Sequence, residues 1–188
     1  MLKSQDINMI ICETKSFILR SFSRADVEPF FNWRNDPIVA RYQGWSAPYS
    51  YEHALAFVTA SETAVPAQPG EWYQVAIAFK TTGELIGDCA FHTAEDGIQA
   101  EIGYTLARQF HGQGYATEAV TGLLGYLFNT LNMHRVSAGC DTRNEPSWRL
   151  LQRLSFRLEG HSVENYRDGG SWGSEYQYAM LKREWEER

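Results

Sequence analysis

The sequence predicts a single α+β domain over residues 1–188, with a mixed, mostly antiparallel sheet of about seven strands. Three observations predict this class. Large apolar residues recur at every second position from Tyr73 to Phe79, a glycine-rich segment at 109–117 leads from a strand into a helix, and the chain then continues as strand, helix and two strands. The expected order is strand, two helices, three strands, helix, strand, helix and two strands.

The first third of the chain predicts one strand and two helices. Residues 1–15 lack a clear period and are expected to be an N-terminal extension, after which 17–22 reads as a strand. Ser23 followed by Asp26 has the spacing that opens a helix, expected to end near residues 35–37, and Ser50 caps a second helix. The segment 64–70, which contains two prolines, is too short to separate domains.

The remaining strands and helices are predicted from changes in the spacing of apolar residues along the chain. Strands are expected at 72–79, 85–91 and 98–106, joined as an antiparallel meander by turns at 81–84 and 95–97. Apolar residues then recur at three- and four-residue intervals, which predicts a helix after the glycines. A strand at 135–140, a helix starting near Asn144 and Pro146, and strands at 156–164 and 175–181 complete the chain.

The composition limits the class of protein. Of the 188 residues 44% are hydrophobic and 14% aromatic, and no apolar run approaches a membrane span of roughly 18 residues, so a folded, soluble, cytoplasmic protein without membrane attachment is expected. A net charge of −6 disfavours nucleic acid and favours a cationic partner such as an amine. The three cysteines are far apart, which predicts reduced thiols and no metal site.

The glycine-rich segment predicts an anion-binding loop. Gly112 and Gly114 let the backbone approach a ligand, and the following helix presents its N-terminal amides. A dinucleotide fingerprint requires a third glycine where Thr117 stands, and a phosphate-binding P-loop requires Gly-Lys-Ser/Thr. Neither is present, so both of those nucleotide sites are excluded.

This segment resembles motif A of the GNAT acetyltransferases, Gln/Arg-x-x-Gly-x-Gly/Ala, with Gln109, Gly112 and Gly114 at its three positions. The Tyr-Ala-Thr-Glu-Ala sequence that follows, residues 115–119, resembles the sequence of the family branch that contains the ribosomal-protein N-terminal acetyltransferases (RimJ/RimL-like). The segment from Asn144 to Gly160 is similar to the family's Asn-x-x-Ser...Gly-Phe-x-x-Glu-Gly, with Ser155 in place of the glycine. The resemblance implies the three-layer GNAT fold, helices on both sheet faces, acetyl-CoA as co-substrate and a monomer or homodimer.

The resemblance also implies which residues contact acetyl-CoA. The strand end would pair with the pantetheine arm, the glycine loop and first helical turn would hold the pyrophosphate, and the second segment would contribute an amide and a hydroxyl. The residues so assigned are Tyr104, Thr105, Leu106, Gln109, Gly112, Gln113, Gly114, Tyr115, Ala116, Thr117, Asn144 and Ser147.

Acetyl transfer to an amine requires a route for the amine proton and a donor to the departing thiolate. Glu101, on the strand before the glycine loop, is the leading candidate base, although an exposed structural role is an alternative. Glu164 is a second candidate, but the family spacing from Glu159 falls on Tyr166. His92, His111 and His134 are further alternatives. The resemblance assigns thiolate protonation to Ser147, whose alternative role is to bond backbone groups in its helix.

The resemblance places acceptor recognition in the two early helices and the late hairpin. The candidates are Trp33, Asn35, Asp36, Tyr42, Trp45 and Trp172. The expected activity is an acetyl-CoA-dependent N-acetyltransferase, with a protein N-terminus of the ribosomal-protein type as first acceptor. A small-amine or antibiotic acetyltransferase and a non-catalytic acyl-CoA-binding module remain alternatives.

Overall fold

The computed structural model describes residues 9–188. The strands are β1 (Ile10–Glu13), β2 (Phe17–Arg20), β3 (Trp72–Phe79), β4 (Leu85–Thr93), β5 (Gln99–Leu106), β6 (Arg135–Asp141), β7 (Arg157–Asp168) and β8 (Ser171–Leu181). The helices are α1 (Val27–Arg34), α2 (Pro37–Ala40), α3 (Tyr51–Thr63), α4 (Tyr115–Gly125), α5 (Glu145–Arg153) and α6 (Lys182–Glu186). Within these residues no helix has the length and apolar character needed to cross a membrane.

Within the described residues, eight strands form one sheet in the order β1-β2-β3-β4-β5-β6-β8-β7. The pair β5 and β6 is parallel, whereas β1 with β2, β2 with β3, β6 with β8 and β7 with β8 are antiparallel. This confirms the predicted mixed, mostly antiparallel α+β sheet. The predicted count of about seven strands was one short because β1 was not foreseen.

The missed strand lies in the segment predicted to be an N-terminal extension. β1 pairs with β2 through Cys12 opposite Leu19, and an irregularity between Ile10 and Cys12 interrupts the register. A four-residue edge strand with such an irregularity leaves little periodic signal. Residues 1–8 of the predicted extension lie outside the described residues.

By density of internal contacts the chain divides into two compact units, so the prediction of a single domain stays a prediction. The first unit comprises residues 9–66 of the described chain together with Tyr73–Cys89 and Tyr104–Leu123. Its aromatic core centres on Phe22, Phe30 and Trp33. Ser23 precedes a short 3₁₀ turn that runs into α1, and Asp26 accepts a hydrogen bond from the Ser23 N–H, which confirms the predicted helix start.

The second unit comprises Ala67–Trp72, Ala90–Gly103 and Leu124–Arg188. β8 runs between β6 and β7, and α4 passes into a single π-helical turn, Tyr126–Thr130, before β6. Ser155, which stands where the family has glycine, adopts φ +63° after α5. The serine therefore takes the left-handed conformation that a glycine would adopt more easily at a helix C-terminus. The short helices α2 and α6 were not predicted.

Candidate functional site

The glycine loop has the geometry of an anion cradle. Gly112 and Gly114 have φ values of +75° and +82°, and a Cβ at either position would meet no heavy atom within 4 Å. The first bond into α4 runs from the Glu118 N–H to the Gly114 carbonyl, so the amides of the first helical turn precede the hydrogen-bond ladder. Open space beside two left-handed glycines at a helix N-terminus suits a bulky anion such as a pyrophosphate.

Both ends of this loop pack on one aromatic ring. Phe110 and Tyr115 each meet the ring of Phe79 edge-on, with centroid distances of 5.8 and 5.5 Å. Within the loop, the Gln113 amide donates to the Gln109 carbonyl, and His111 Nε2 lies 2.8 Å from the Leu106 carbonyl oxygen. The bond between Gln113 and Gln109, two of the predicted cofactor residues, therefore stabilises the loop.

A carboxylate fixes the first turn of α4. Glu118 accepts hydrogen bonds from the Thr14 hydroxyl at 2.6 Å and from the Ser16 N–H at 2.6 Å. Burial tends to raise the pKa of Glu118, but these hydrogen bonds outweigh it and leave the pKa lowered. The helix start is thereby attached to the turn between β1 and β2.

The strand end that precedes the loop is held by β4. A Cβ at Gly87 would lie 2.2 Å from the Thr105 carbonyl oxygen, so only glycine allows the two strands to approach this closely. The next residue, Asp88, is buried and hydrogen-bonds with Thr105. Burial raises the pKa of Asp88 to about 6, against the opposing effects of Arg34 and Thr105.

Arg34 occupies an aromatic cage at the end of α1. Its Nη2 donates to Asp88 Oδ2 at 3.2 Å, and its Cζ lies 3.4 Å from the ring centroid of Trp45 and 4.5 Å from that of Phe30. Burial lowers the pKa of Arg34. Neither Arg34 nor Asp88 was predicted to be functional, although an aspartate within the apolar run of β4 was a detectable signal.

The predicted acceptor residues of the first unit lie in α1 and in the segment between α1 and α3. Asn35 holds Tyr49 at both ends of its amide, donating to the Tyr49 carbonyl at 3.0 Å and accepting from the Tyr49 N–H at 2.8 Å. Asp36 caps α2 by accepting from the Ile38 N–H. Trp33 is buried. Tyr42 is half-buried beside Arg41, and the Trp45 indole donates to the Arg34 carbonyl.

In the second unit, α5 presents the two residues assigned to the cofactor. Asn144 occupies the N-cap position, but its side chain makes no capping hydrogen bond. The Ser147 hydroxyl hydrogen-bonds with Cys140 at the end of β6. Burial, opposed by this bond, raises the pKa of Cys140 to about 11, so the sulfur remains a thiol at neutral pH.

A second polar cluster, missed by the sequence reasoning, surrounds Asp141. Arg143 binds this carboxylate through Nε and Nη2, and the Tyr166 hydroxyl also donates to it. These bonds outweigh burial and lower the pKa of Asp141. Burial first, then the bond to Asp141, raises the pKa of Tyr166 to about 12. Tyr166, which stands where the family's spacing from Glu159 would place the base, is thus a hydrogen-bond donor at neutral pH rather than a base.

The candidate bases lie on exposed strand positions. Glu101 stands opposite Ser137 in the parallel ladder, which spans the first three residues of β5 and β6. Glu164 has φ +50° at an irregularity of β7, and its N–H donates to the Ser174 hydroxyl. Trp172, the acceptor candidate on the late hairpin, is exposed, with Arg167 Cζ 5.0 Å from its ring centroid.

The chain is similar in sequence and in fold to known acetyltransferases. The family described as "Acetyltransferase (GNAT) domain" matches residues 16–157, and the chain belongs to this family. An uncharacterized N-acetyltransferase, YnaD of Bacillus subtilis (strain 168), is 30% identical over 172 residues, which cover 92% of this chain and 97% of YnaD. The [ribosomal protein uS5]-alanine N-acetyltransferase of Escherichia coli (strain K12) is 29% identical over 104 residues, 54% of each protein.

A crystal structure of a GNAT-family acetyltransferase from Bacillus anthracis superimposes with a TM-score of 0.83 at 26% identity, covering 92% of this chain and 98% of that one. The predicted GNAT fold is thereby confirmed. The protein is an N-acetyltransferase that takes its acetyl group from acetyl-CoA, and the open glycine loop at the start of α4 fits the pyrophosphate of that co-substrate.

Proposed function

We propose that this acetyltransferase modifies the α-amino group of a protein N-terminus, with a ribosomal protein as the first candidate. The observation that carries the proposal is that three aspartates of the first unit already have hydrogen-bond or ion-pair partners within the protein. Asp36 caps α2, Asp88 binds Arg34 and Asp26 binds Arg20. A polyamine brings additional positive charges that need unpaired carboxylates, whereas a peptide N-terminus brings one amine followed by neutral amides.

Two further observations support this acceptor. The E. coli relative acetylates alanine of ribosomal protein uS5, as its name states. The chain carries a net charge of −6, which favours the approach of a basic polypeptide over its surface. Aromatic and amide side chains such as Trp45 and Asn35 suit the backbone of an extended peptide.

Acetyl-CoA supplies the acetyl group as a thioester, and the chain supplies binding. In this proposal the amides of Gly112 to Thr117 hold the pyrophosphate, with the helix dipole favouring its charge. The backbone of Tyr104, Thr105 and Leu106 pairs with the pantetheine amides, and a main-chain N–H of this strand end stabilises the developing oxyanion. The Asn144 amide, which is not engaged as a helix cap, is assigned to the pantetheine arm.

Two side chains are assigned to proton movement. Glu101 accepts the proton of the attacking ammonium group through water, as its exposed position permits. Ser147 Oγ donates to the departing thiolate.

The test is release of free CoA from acetyl-CoA with peptides starting with Ala or Ser, spermidine and an aminoglycoside as separate acceptors. The matched control is each peptide with a blocked N-terminus. We expect turnover of the free peptides alone, with a mass increase on the N-terminal residue. Turnover confined to spermidine or the aminoglycoside would establish a small-amine acetyltransferase, and CoA binding without turnover of any of these acceptors would equally overturn the proposed acceptor.

A further inference from the structure

The ion pair between Arg34 and Asp88 is buried within the first unit. The two side chains are only 8% and 6% exposed, and a single Nη2 to Oδ2 contact of 3.2 Å joins them. Among the residues the structure describes, Arg34 Nε has no hydrogen-bond partner. A buried pair with one contact and an unpaired donor is a poor source of stability, because desolvating both ions outweighs their attraction.

The pair connects two parts of the candidate site. On one side Arg34 stacks against Trp45, whose indole donates to the Arg34 carbonyl at 3.2 Å. On the other side Asp88 hydrogen-bonds with Thr105 at the end of β5. The neighbouring bond from the Ala107 N–H to the Ile86 carbonyl, 2.9 Å, keeps β4 against this strand end.

We propose that Arg34 and Asp88 are positioning residues that hold the loop 41–49 and the carboxyl end of β5 in one fixed arrangement. The inference rests on the proposed function, in which this strand end binds the pantetheine arm and the loop faces the acceptor. A planar guanidinium suits this task because its faces stack on aromatic rings while its edge binds a carboxylate. An apolar pair of similar volume would fill the same space without fixing the position of the loop or of the strand end.

The chain offers a matched control. Arg20 and Asp26 form a second ion pair in the first unit, between a half-buried arginine and a buried aspartate, with two contacts of 2.7 and 2.8 Å. Asp26 additionally accepts from the Ser23 N–H, so this pair serves the start of α1. Among the described residues, the side-chain hydrogen bonds of this pair stay within residues 20–26, so they do not involve Thr105 or Trp45.

The experiment compares the wild type with Arg34→Met/Asp88→Leu and with Arg20→Met/Asp26→Asn. Affinity is measured by calorimetric titration with CoA, stability by thermal melting, and loop order by the rate of tryptic cleavage after the exposed Arg41. We expect Arg34→Met/Asp88→Leu to melt no lower than the control variant. Its CoA Kd should rise about tenfold and its cleavage after Arg41 should accelerate, while the control keeps the wild-type values of both.

A second variant, Thr105→Val, leaves the ion pair in place and removes only its bond to β5. We expect a rise of about threefold in the CoA Kd without faster cleavage after Arg41. Wild-type CoA affinity and wild-type cleavage in Arg34→Met/Asp88→Leu would overturn the inference and leave the pair a structural feature. Failure of the wild type itself to bind CoA would instead refute the assignment of the strand end and the glycine loop.

Discussion

The backbone of Gly173 lies directly beneath the ring of Tyr166: a Cβ at position 173 would be 2.2 Å from Tyr166 Cζ. Gly173→Ala should therefore displace the ring and break the bond from its hydroxyl to Asp141. We expect a loss of about 1–3 kcal/mol in the free energy of unfolding, measured in urea. Gly160→Ala on β7 is the control, because its Cβ would meet Gln177 at an ordinary 3.6 Å. Equal stability of the two variants would contradict the prediction.

The glycine loop predicts a separation between stability and cofactor binding. Alanine at position 112 or 114 must adopt a positive φ, at a strain of roughly 1–2 kcal/mol, or shift the loop. We expect the KM for acetyl-CoA to rise about tenfold in either variant. Gly83→Ala is the control, since Gly83 has φ +74° and equally open surroundings in the turn between β3 and β4. It should lose similar stability and keep the wild-type KM, and an equal rise in KM in all three variants would refute the cradle.

The Ser147 hydroxyl, which is also assigned a contact with the cofactor, is expected to contribute far more to turnover than to cofactor binding. Ser147→Ala should lower kcat about 100-fold and leave the CoA Kd close to that of the wild type. The control is Ser137→Ala, which removes a hydroxyl bonded to the Ala100 carbonyl at 3.3 Å. That variant should lose stability alone, by about 1 kcal/mol. A wild-type kcat in Ser147→Ala would restrict the serine to a structural role.

The assignment of Glu101 as base predicts a pH-dependent loss. Glu101→Gln should reduce kcat/KM by about 100-fold near neutrality, where an α-amino group of pKa roughly 8 arrives protonated. The deficit should shrink at pH 9, because most of the acceptor is then already neutral. Measurement of kcat/KM from pH 6.5 to 9 with an Ala-starting peptide checks this. A deficit that stays constant with pH would point to a positional role.

Asp88 predicts an unusual contribution to stability in mild acid. Its pKa is raised from 3.8 in the unfolded chain to about 6, chiefly by burial, with Arg34 and Cys89 as its ionisable neighbours. The folded protein therefore binds a proton that the unfolded chain has released, and stability is lost as pH rises from 4 to 6, by roughly 3 kcal/mol. The difference in unfolding free energy between wild type and Asp88→Asn should change by about this amount over that range. A pH-independent difference would show that the carboxyl is not perturbed.

Local patterns predicted those parts of the molecule that local interactions determine. The capping residues Ser23 and Ser50, the alternating strand 72–79 and the strand leading into the glycine loop were all confirmed, because each depends on residues close in sequence. The family resemblance added the fold, the enzyme class and the co-substrate, which the comparisons confirmed.

Hydrogen-bond partners that are distant in sequence could not be predicted from local patterns. Nothing near Asp88 in sequence indicates that its charge meets Arg34, fifty-four residues earlier, or that Tyr166 donates to Asp141 across the second unit. The strand β1 was missed for the same reason, since its hydrogen bonds depend on β2 rather than on its own composition. The assigned catalytic, cofactor and acceptor residues stay predictions until the variants above are measured.

The packing of Phe110 and Tyr115 on Phe79 has a thermodynamic consequence for ligand capture. A glycine-rich segment free in solution would lose considerable backbone freedom on closing around a diphosphate, and that loss would weaken association. Here the shared aromatic support confines both ends of the segment before any ligand arrives. The entropic penalty is then met during folding, so encounter with the nucleotide is followed by little reorganisation of the chain.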